Sequence, residues 1–362
     1  MIKKISLLSV AIFAIYGCSS TTHKSSIDLH KASLPAAVFK QQPLIPYMFT
    51  ADPSAHVFDG KLWIYPSHDI ETKEKLATGE GSGFDMRDYH VFSMDTPESA
   101  IKDWGPALKI EDIPWAKAQL WAPDAAEKNG KYYLFFPAKD NQGIFRIGVA
   151  VANQPQGPFK AEPTPIDGTY SIDPSVYQDG ENYYLYVGGI RGGQLQQWEN
   201  NIFHGEDRYN NDDGAAHPPK MAKLSDDLKT LAEPMRDVLI VDNKGAPLAN
   251  KHPHSFFEAP WIHKFNNTYY LTYSTGDTRS IAYATSKTPY GPFTYQGAVL
   301  EPVYGWTNHH SIVEFNGKWY LFYHDSQLSG GKTHLRNIKV MEISHDTNGK
   351  IRTESAFITP SR

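Results

Sequence analysis

Five times along this 362-residue chain a short aromatic strand follows a tight turn: 61-KLWIY-65, 131-KYYLF-135, 182-NYYLY-186, 268-TYYLT-272 and 318-KWYLF-322. The turns carry Gly60, Gly130, Gly180, Asn267 and Gly317, residues that tolerate the positive φ a two-residue hairpin loop demands. Six to nine residues upstream of each turn stands Asp52, Asp124, Asp173, Glu258 or His310. Four-stranded blades repeated around an axis would bring the matching strand ends together at one mouth. Four carboxylates and an imidazole are expected to converge there.

The repeat spans nearly the whole chain, so one large all-β domain is expected rather than several small ones. A second echo supports it. Gly148–Ala152 leads to 157-GPF-159 and Ile281–Ala284 leads to 291-GPF-293, the pattern of outer strands closed by Gly-Pro turns. The segments 68–90 and 191–255 interrupt the repeat, and loops of that length in a compact domain predict a functional rim.

A formal charge of -5 without a Lys/Arg run leaves no basic face for nucleic acid and favours a neutral or polar substrate. The chain lacks a G-x-G-x-x-G or P-loop sequence, so nucleotide chemistry has no foothold. Zinc chemistry lacks its usual spacing too. Without an H-E-x-x-H pattern, 252-HPH-254 and 309-HH-310 read as loop or packing histidines.

The N-terminus follows different rules. Lys3 and Lys4 precede an apolar stretch, Ile5 to Tyr16, too short to span a bilayer and suited to a signal peptide over residues 1–17. The only cysteine, Cys18, follows 15-IYG-17, which resembles a bacterial lipobox; that resemblance implies a lipidated mature N-terminus. Ser19 behind it implies sorting to the outer membrane. Residues 18–42 read as a Ser/Thr/Lys-rich tether, and residues 43–362 as the folded domain.

Glycosidic hydrolysis needs two carboxyl groups, an acid for the leaving oxygen and a base or nucleophile on the opposite face. Asp52 and Asp173 both sit in Asp-Pro-Ser tripeptides ahead of an aromatic hairpin, a repetition that points beyond turn chemistry. Glu258 lies in 256-FFEAPWI-262, where poor solvation would keep it protonated near neutrality.

Together 51-ADPS-54, 121-WAPD-124, 172-IDPS-175, 258-EAPW-261 and 309-HHS-311 resemble glycoside hydrolase family 43 over roughly residues 43–359. The resemblance implies a five-bladed β-propeller and an inverting, exo-acting enzyme on terminal α-L-arabinofuranosyl or β-D-xylosyl residues. It leaves open a β-D-galactofuranosidase, an endo-arabinanase or a glycan-binding propeller without catalysis. It implies Asp52 as general base, Asp173 as the carboxylate that tunes and orients the acid, and Glu258 as general acid. Trp121 and Asp124 would belong to the sugar subsite, and Arg336 would hydrogen-bond sugar hydroxyls. His310 would be an axial histidine approaching a structural Ca2+ through water, with no cofactor required for the chemistry.

Overall fold

The computed structural model describes residues 38–208, 214–276 and 278–358. Five antiparallel sheets form a five-bladed β-propeller. Blade 1 comprises Thr50–Phe58, Lys61–His68, Asp88–Met94 and Lys102–Lys109, and blade 2 comprises Asp124–Lys128, Lys131–Lys139, Phe145–Ala152 and Lys160–Ala161. Blade 3 is built from Ser175–Asp179, Asn182–Val187, Lys220–Lys223 and Arg236–Asp237. Blade 4 runs through Phe256–Phe265, Thr268–Thr275, Ile281–Ser286 and Phe293–Leu300, with Ile240–Val241 pairing parallel on its outer edge. Blade 5 holds His310–Phe315, Lys318–Asp325, Asn337–His345 and Ile351–Arg352.

Each aromatic repeat is the second strand of a blade, and its composition follows from having a neighbouring blade on both faces. In 62-LWIY-65, Leu62 and Ile64 pack toward blade 5 while Trp63 and Tyr65 pack toward blade 2, and all four are buried. Phe135 likewise faces blade 3, and Leu134 and Phe136 face blade 1. Such strands read as continuous apolar runs because neither face meets water. Tyrosine suits them because its ring fills the gap while its hydroxyl reaches a carbonyl of the next blade. Tyr65 donates to Pro155 O at 2.8 Å, Tyr183 to Glu127 O at 2.8 Å and Tyr186 to Pro289 O at 2.6 Å.

The hairpin turns behave as their residues demand. Asp59-Gly60, Asn129-Gly130, Asn266-Asn267 and Asn316-Gly317 have positive φ at both positions, the geometry whose twist matches two antiparallel strands. The 191–255 segment departs from its reading as a loop. Only its first residues border the central cavity, whereas Lys220–Lys223 and Arg236–Asp237 are the outer strands of blade 3. These strands are only four and two residues long, too short for an alternating pattern to announce them.

The segment before blade 1 packs against the end of blade 5. Phe39 is buried and bridges Phe357, Lys40 N donates to Ala356 O, and Leu44 N donates to Ile338 O. Cys18 lies outside the described residues.

Candidate active site

At one mouth of the propeller a cavity of about 760 Å³ is walled by all five blades. Asp52 comes from blade 1, Trp121 from the entry to blade 2, Asp173 from the entry to blade 3, Glu258 from blade 4, and His309 and Arg336 from blade 5. The backbone bends sharply to present the acids. Asp52, Asp173 and Ala259 each precede a proline and hold φ of 51°, 57° and 58°. Positive φ in residues other than glycine costs on the order of 1–3 kcal/mol each and persists where the surroundings over-determine it. At Asp52 and Glu258 the bend accompanies an irregularity in strand pairing, which re-aims a side chain from the sheet into the cavity.

Asp52 is the most constrained of the three acids. Its Oδ1 accepts from Arg336 Nη1 at 2.9 Å, and its Oδ2 accepts from Arg336 Nη2 at 3.2 Å and from Ser67 Oγ at 2.7 Å. His324 Nδ1 stands 3.1 Å from the Asp52 amide nitrogen and 3.3 Å from Oδ1. Burial pushes the Asp52 carboxyl up, but Arg336, the His324 contact and His309 outweigh it and hold it well below the usual carboxylate range.

Glu258 and Asp173 go the other way. Burial, then the negative charge of Asp52, raise Glu258 to about 8 against a smaller opposing pull from Arg336. Burial, then Glu258 and Asp52, push Asp173 well above its ordinary value, although its Oδ2 accepts the Ala259 amide at 2.9 Å. His309 Nδ1 lies 3.5 Å from Asp52 Oδ1 and 3.8 Å from Asp173 Oδ2, and burial pushes this imidazole down to about 4, keeping it neutral. At neutral pH the cavity therefore presents an ionised carboxylate and a protonated carboxylic acid, the pair needed to activate water and protonate a leaving oxygen.

The model of glycosyl hydrolases family 43 matches residues 99–351. The chain is 56% identical to xylosidase/arabinosidase 43A of Humicola insolens, over 86% of this chain and 98% of that one. It is 50% identical to a β-xylosidase of Xylanibacter ruminicola, over 87% and 99%. Among solved structures it is similar to a GH43 β-xylosidase/α-arabinofuranosidase from a compost microbial metagenome, in complex with xylotriose and in a calcium-free form. That match has TM-score 0.86 and 58% identity, covering 89% of this chain and 99% of that one. The chain belongs to glycoside hydrolase family 43. It is a glycoside hydrolase.

Two residues expected at the mouth of this family 43 enzyme lie elsewhere. Asp124 is fully buried between blades, where Oδ1 meets Ser54 Oγ at 2.5 Å and His56 Nε2 at 2.7 Å while Oδ2 accepts the Val176 amide at 2.5 Å. The reason is its place relative to proline: Asp52 and Asp173 precede theirs, whereas Asp124 follows Pro123 and enters the strand. His310 is buried with Nε2 2.6 Å from Thr272 Oγ1, and its neighbour His309 is the imidazole that reaches the cavity. Strand alternation sends adjacent residues to opposite sides. Nδ1 of His310 has no hydrogen-bond partner among the described residues, and an orphaned buried imidazole nitrogen fits a water-mediated approach to a cation.

Arg336 lines the cavity, yet its donors are already engaged. Nε and Nη2 donate to the two Asp69 oxygens at 2.8 Å each, Nη1 and Nη2 donate to Asp52, and Nη1 also lies 3.4 Å from Thr307 Oγ1. It acts on Asp52 in this structure. Trp121 stands on the cavity wall, its Nε1 donating to Phe84 O at 2.8 Å. Gly81, at φ 78°, passes so close that a Cβ there would lie 2.6 Å from the Trp121 ring. Asp69 gave no sign of its role: Asp140 and Asp325 stand at the same strand end in blades 2 and 5, and neither reaches the cavity. His309 was legible only as half of a His-His pair.

Proposed function

We propose that this family 43 hydrolase removes terminal β-D-xylosyl or α-L-arabinofuranosyl residues from xylan-type glycans with inversion at the anomeric carbon. The observation that carries the reading is the convergence in one cavity of Asp52, held by Arg336 and Ser67, with Glu258, which among the described residues has no such cationic partner and is pushed toward its protonated form. In this mechanism Asp52 accepts a proton from water as the water attacks, and Glu258 donates its proton to the departing glycosidic oxygen. Asp173 positions Glu258 through the Ala259 amide and shares its electrostatic environment.

Trp121 supplies an apolar wall for a sugar face, and closure by all five blades suits a chain end better than a chain interior. The names of the relatives favour xylose and arabinose. Were a calcium ion held, His310, whose Nδ1 is unpartnered among the described residues, is the residue that would hold it, and the ion would supply a fixed positive charge. The acid and base roles belong to the side chains.

A panel of aryl β-D-xyloside, α-L-arabinofuranoside and β-D-galactofuranoside tests the sugar, and early proton NMR of the released sugar tests the stereochemistry. Cleavage of the first two with an inverted first-formed anomer is expected. A retained anomer, or turnover of the galactofuranoside alone, would overturn the reading. We further propose that Cys18 is lipidated and anchors the enzyme at the outer membrane, a reading supported by the lipobox-like 15-IYGC-18. Wild-type protein should partition with membranes, and Cys18→Ser should lose acyl mass on its N-terminal peptide.

A further inference from the structure

Beside the central cavity lies a second, polar cleft of about 900 Å³, formed by the 76–80 loop of blade 1, the end of the second strand of blade 2 and the 191–197 segment of blade 3. The two share Glu80, Arg191 and Gly192 as a common wall. Lys139 lines this cleft with only 7% of its surface exposed, and among the described residues it makes no ion pair. Its Nζ lies 5.1 Å from the centre of the Phe145 ring, which packs against Trp121 at 4.7 Å. Burial lowers the Lys139 ammonium from its ordinary value.

Arg191 stands on the shared wall at φ 54°. Its guanidinium lies 6.0 Å from the centre of the Phe257 ring, and among the described residues it makes no ion pair. Lys117 adds an exposed ammonium. Two carboxylates face these cations. Asp140 is committed, with Oδ1 accepting the Gln142 and Ile144 amides and Oδ2 accepting Arg146 Nε at 3.3 Å. Glu80 is exposed, leaving the positive charge in excess. Keeping a lysine this buried without a counter-ion is costly, and a ligand anion would relieve that cost.

We propose that this cleft is a subsite for a carboxylate carried on the leaving part of the substrate, a uronosyl branch on a xylo-oligosaccharide. The position follows from the chain. Gly189 bridges Glu258, and Ile190 N donates to Phe257 O at 3.0 Å, so the segment bearing Arg191 is tied to the residue that faces the leaving oxygen. Lys139 and Arg191 then offer charge-assisted hydrogen bonds to a carboxylate that a neutral xylan chain lacks. The inference rests on the proposed function for its sugar class, and the test separates the two.

With full-length Glu258→Gln protein, calorimetric titration should show xylotriose bearing a glucuronosyl branch binding about tenfold more tightly than xylotriose at low salt, the worth of a charge-assisted contact. That advantage should shrink as ionic strength rises, a readout that needs no further variant. Adding Lys139→Met, close in shape but uncharged, should remove most of it. Equal affinity for the two sugars, or an equal loss for both on Lys139→Met, overturns the subsite while aryl xyloside cleavage by the wild type leaves the proposed function standing. Binding of neither sugar overturns the subsite, and absent xyloside cleavage then removes the sugar class with it.

Discussion

Asp52 and Asp173 occupy the same Asp-Pro-Ser tripeptide, bend through the same region of backbone space and line the same cavity, yet they are held in opposite ways. Asp52 faces Arg336, Ser67, His324 and His309, and stays ionised. Asp173 meets one backbone amide, the same neutral His309 at 3.8 Å and two other acids, and is driven toward its neutral form. The motif delivers a carboxyl to the mouth; residues from other blades decide what it can do. Arg336 is the main difference, and it is itself fixed by Asp69.

The comparison breaks most sharply at Asp52. Asp52→Asn removes the base and leaves Arg336 with half its partners, so kcat should fall by about 10⁴ for every leaving group. Steady-state kinetics on aryl and natural glycosides check this, and a loss that depends on the leaving group would contradict the role. Glu258→Gln comes next. Loss of about 10³ is expected on natural glycosides, but only about tenfold on activated aryl glycosides whose leaving group needs no proton.

The same variant carries a pH signature. Glu258 acts in its protonated form, so wild-type kcat/KM should fall as pH rises through about 8, and that limb should vanish in Glu258→Gln. Asp52 acts ionised and is held well below its usual range, so the acid limb belongs far below neutrality. Asp173→Asn sharpens the contrast between the two tripeptides. Because Asp173 is driven toward neutrality, asparagine mimics its charge, and a loss of about 10² from misplacing Glu258 should leave the alkaline limb near its wild-type position. A limb displaced by a full unit would show instead that Asp173 acts as a charge.

The blades were legible because each repeat must bury two faces: Leu62, Trp63, Ile64 and Tyr65 show an apolar run between turn residues, and that pattern survives in all five copies. The acids were legible through the Asp-Pro repeat and the aromatic surroundings of Glu258. What stayed hidden depends on contacts between distant blades. Asp69 meets Arg336 across 267 residues, and nothing in either residue's local sequence announces the other. Spacing from the turn did not distinguish a residue before the proline bend from one after it, nor one side of a strand from the other, so Asp124 and His310 were counted at a mouth that they underlie.

Asp124 offers the smallest expected catalytic effect and the cleanest test of that distinction. Its carboxylate ties blade 1 to blade 3: Oδ1 receives Ser54 and His56, and Oδ2 receives the Val176 amide. Asparagine keeps one oxygen but must turn its NH₂ toward a donor on one side or the other. Leaving one buried donor unmatched costs on the order of 1–3 kcal/mol, paid in stability. Asp124→Asn should therefore lower the denaturation midpoint while kcat on an aryl xyloside stays within about twofold of wild type, since no group bearing on the bond is moved. Denaturant titration beside steady-state kinetics reads both. A large fall in kcat at unchanged stability would return Asp124 to the sugar subsite, and would mean that the bend before proline does not divide the residues facing substrate from those that hold the blades together.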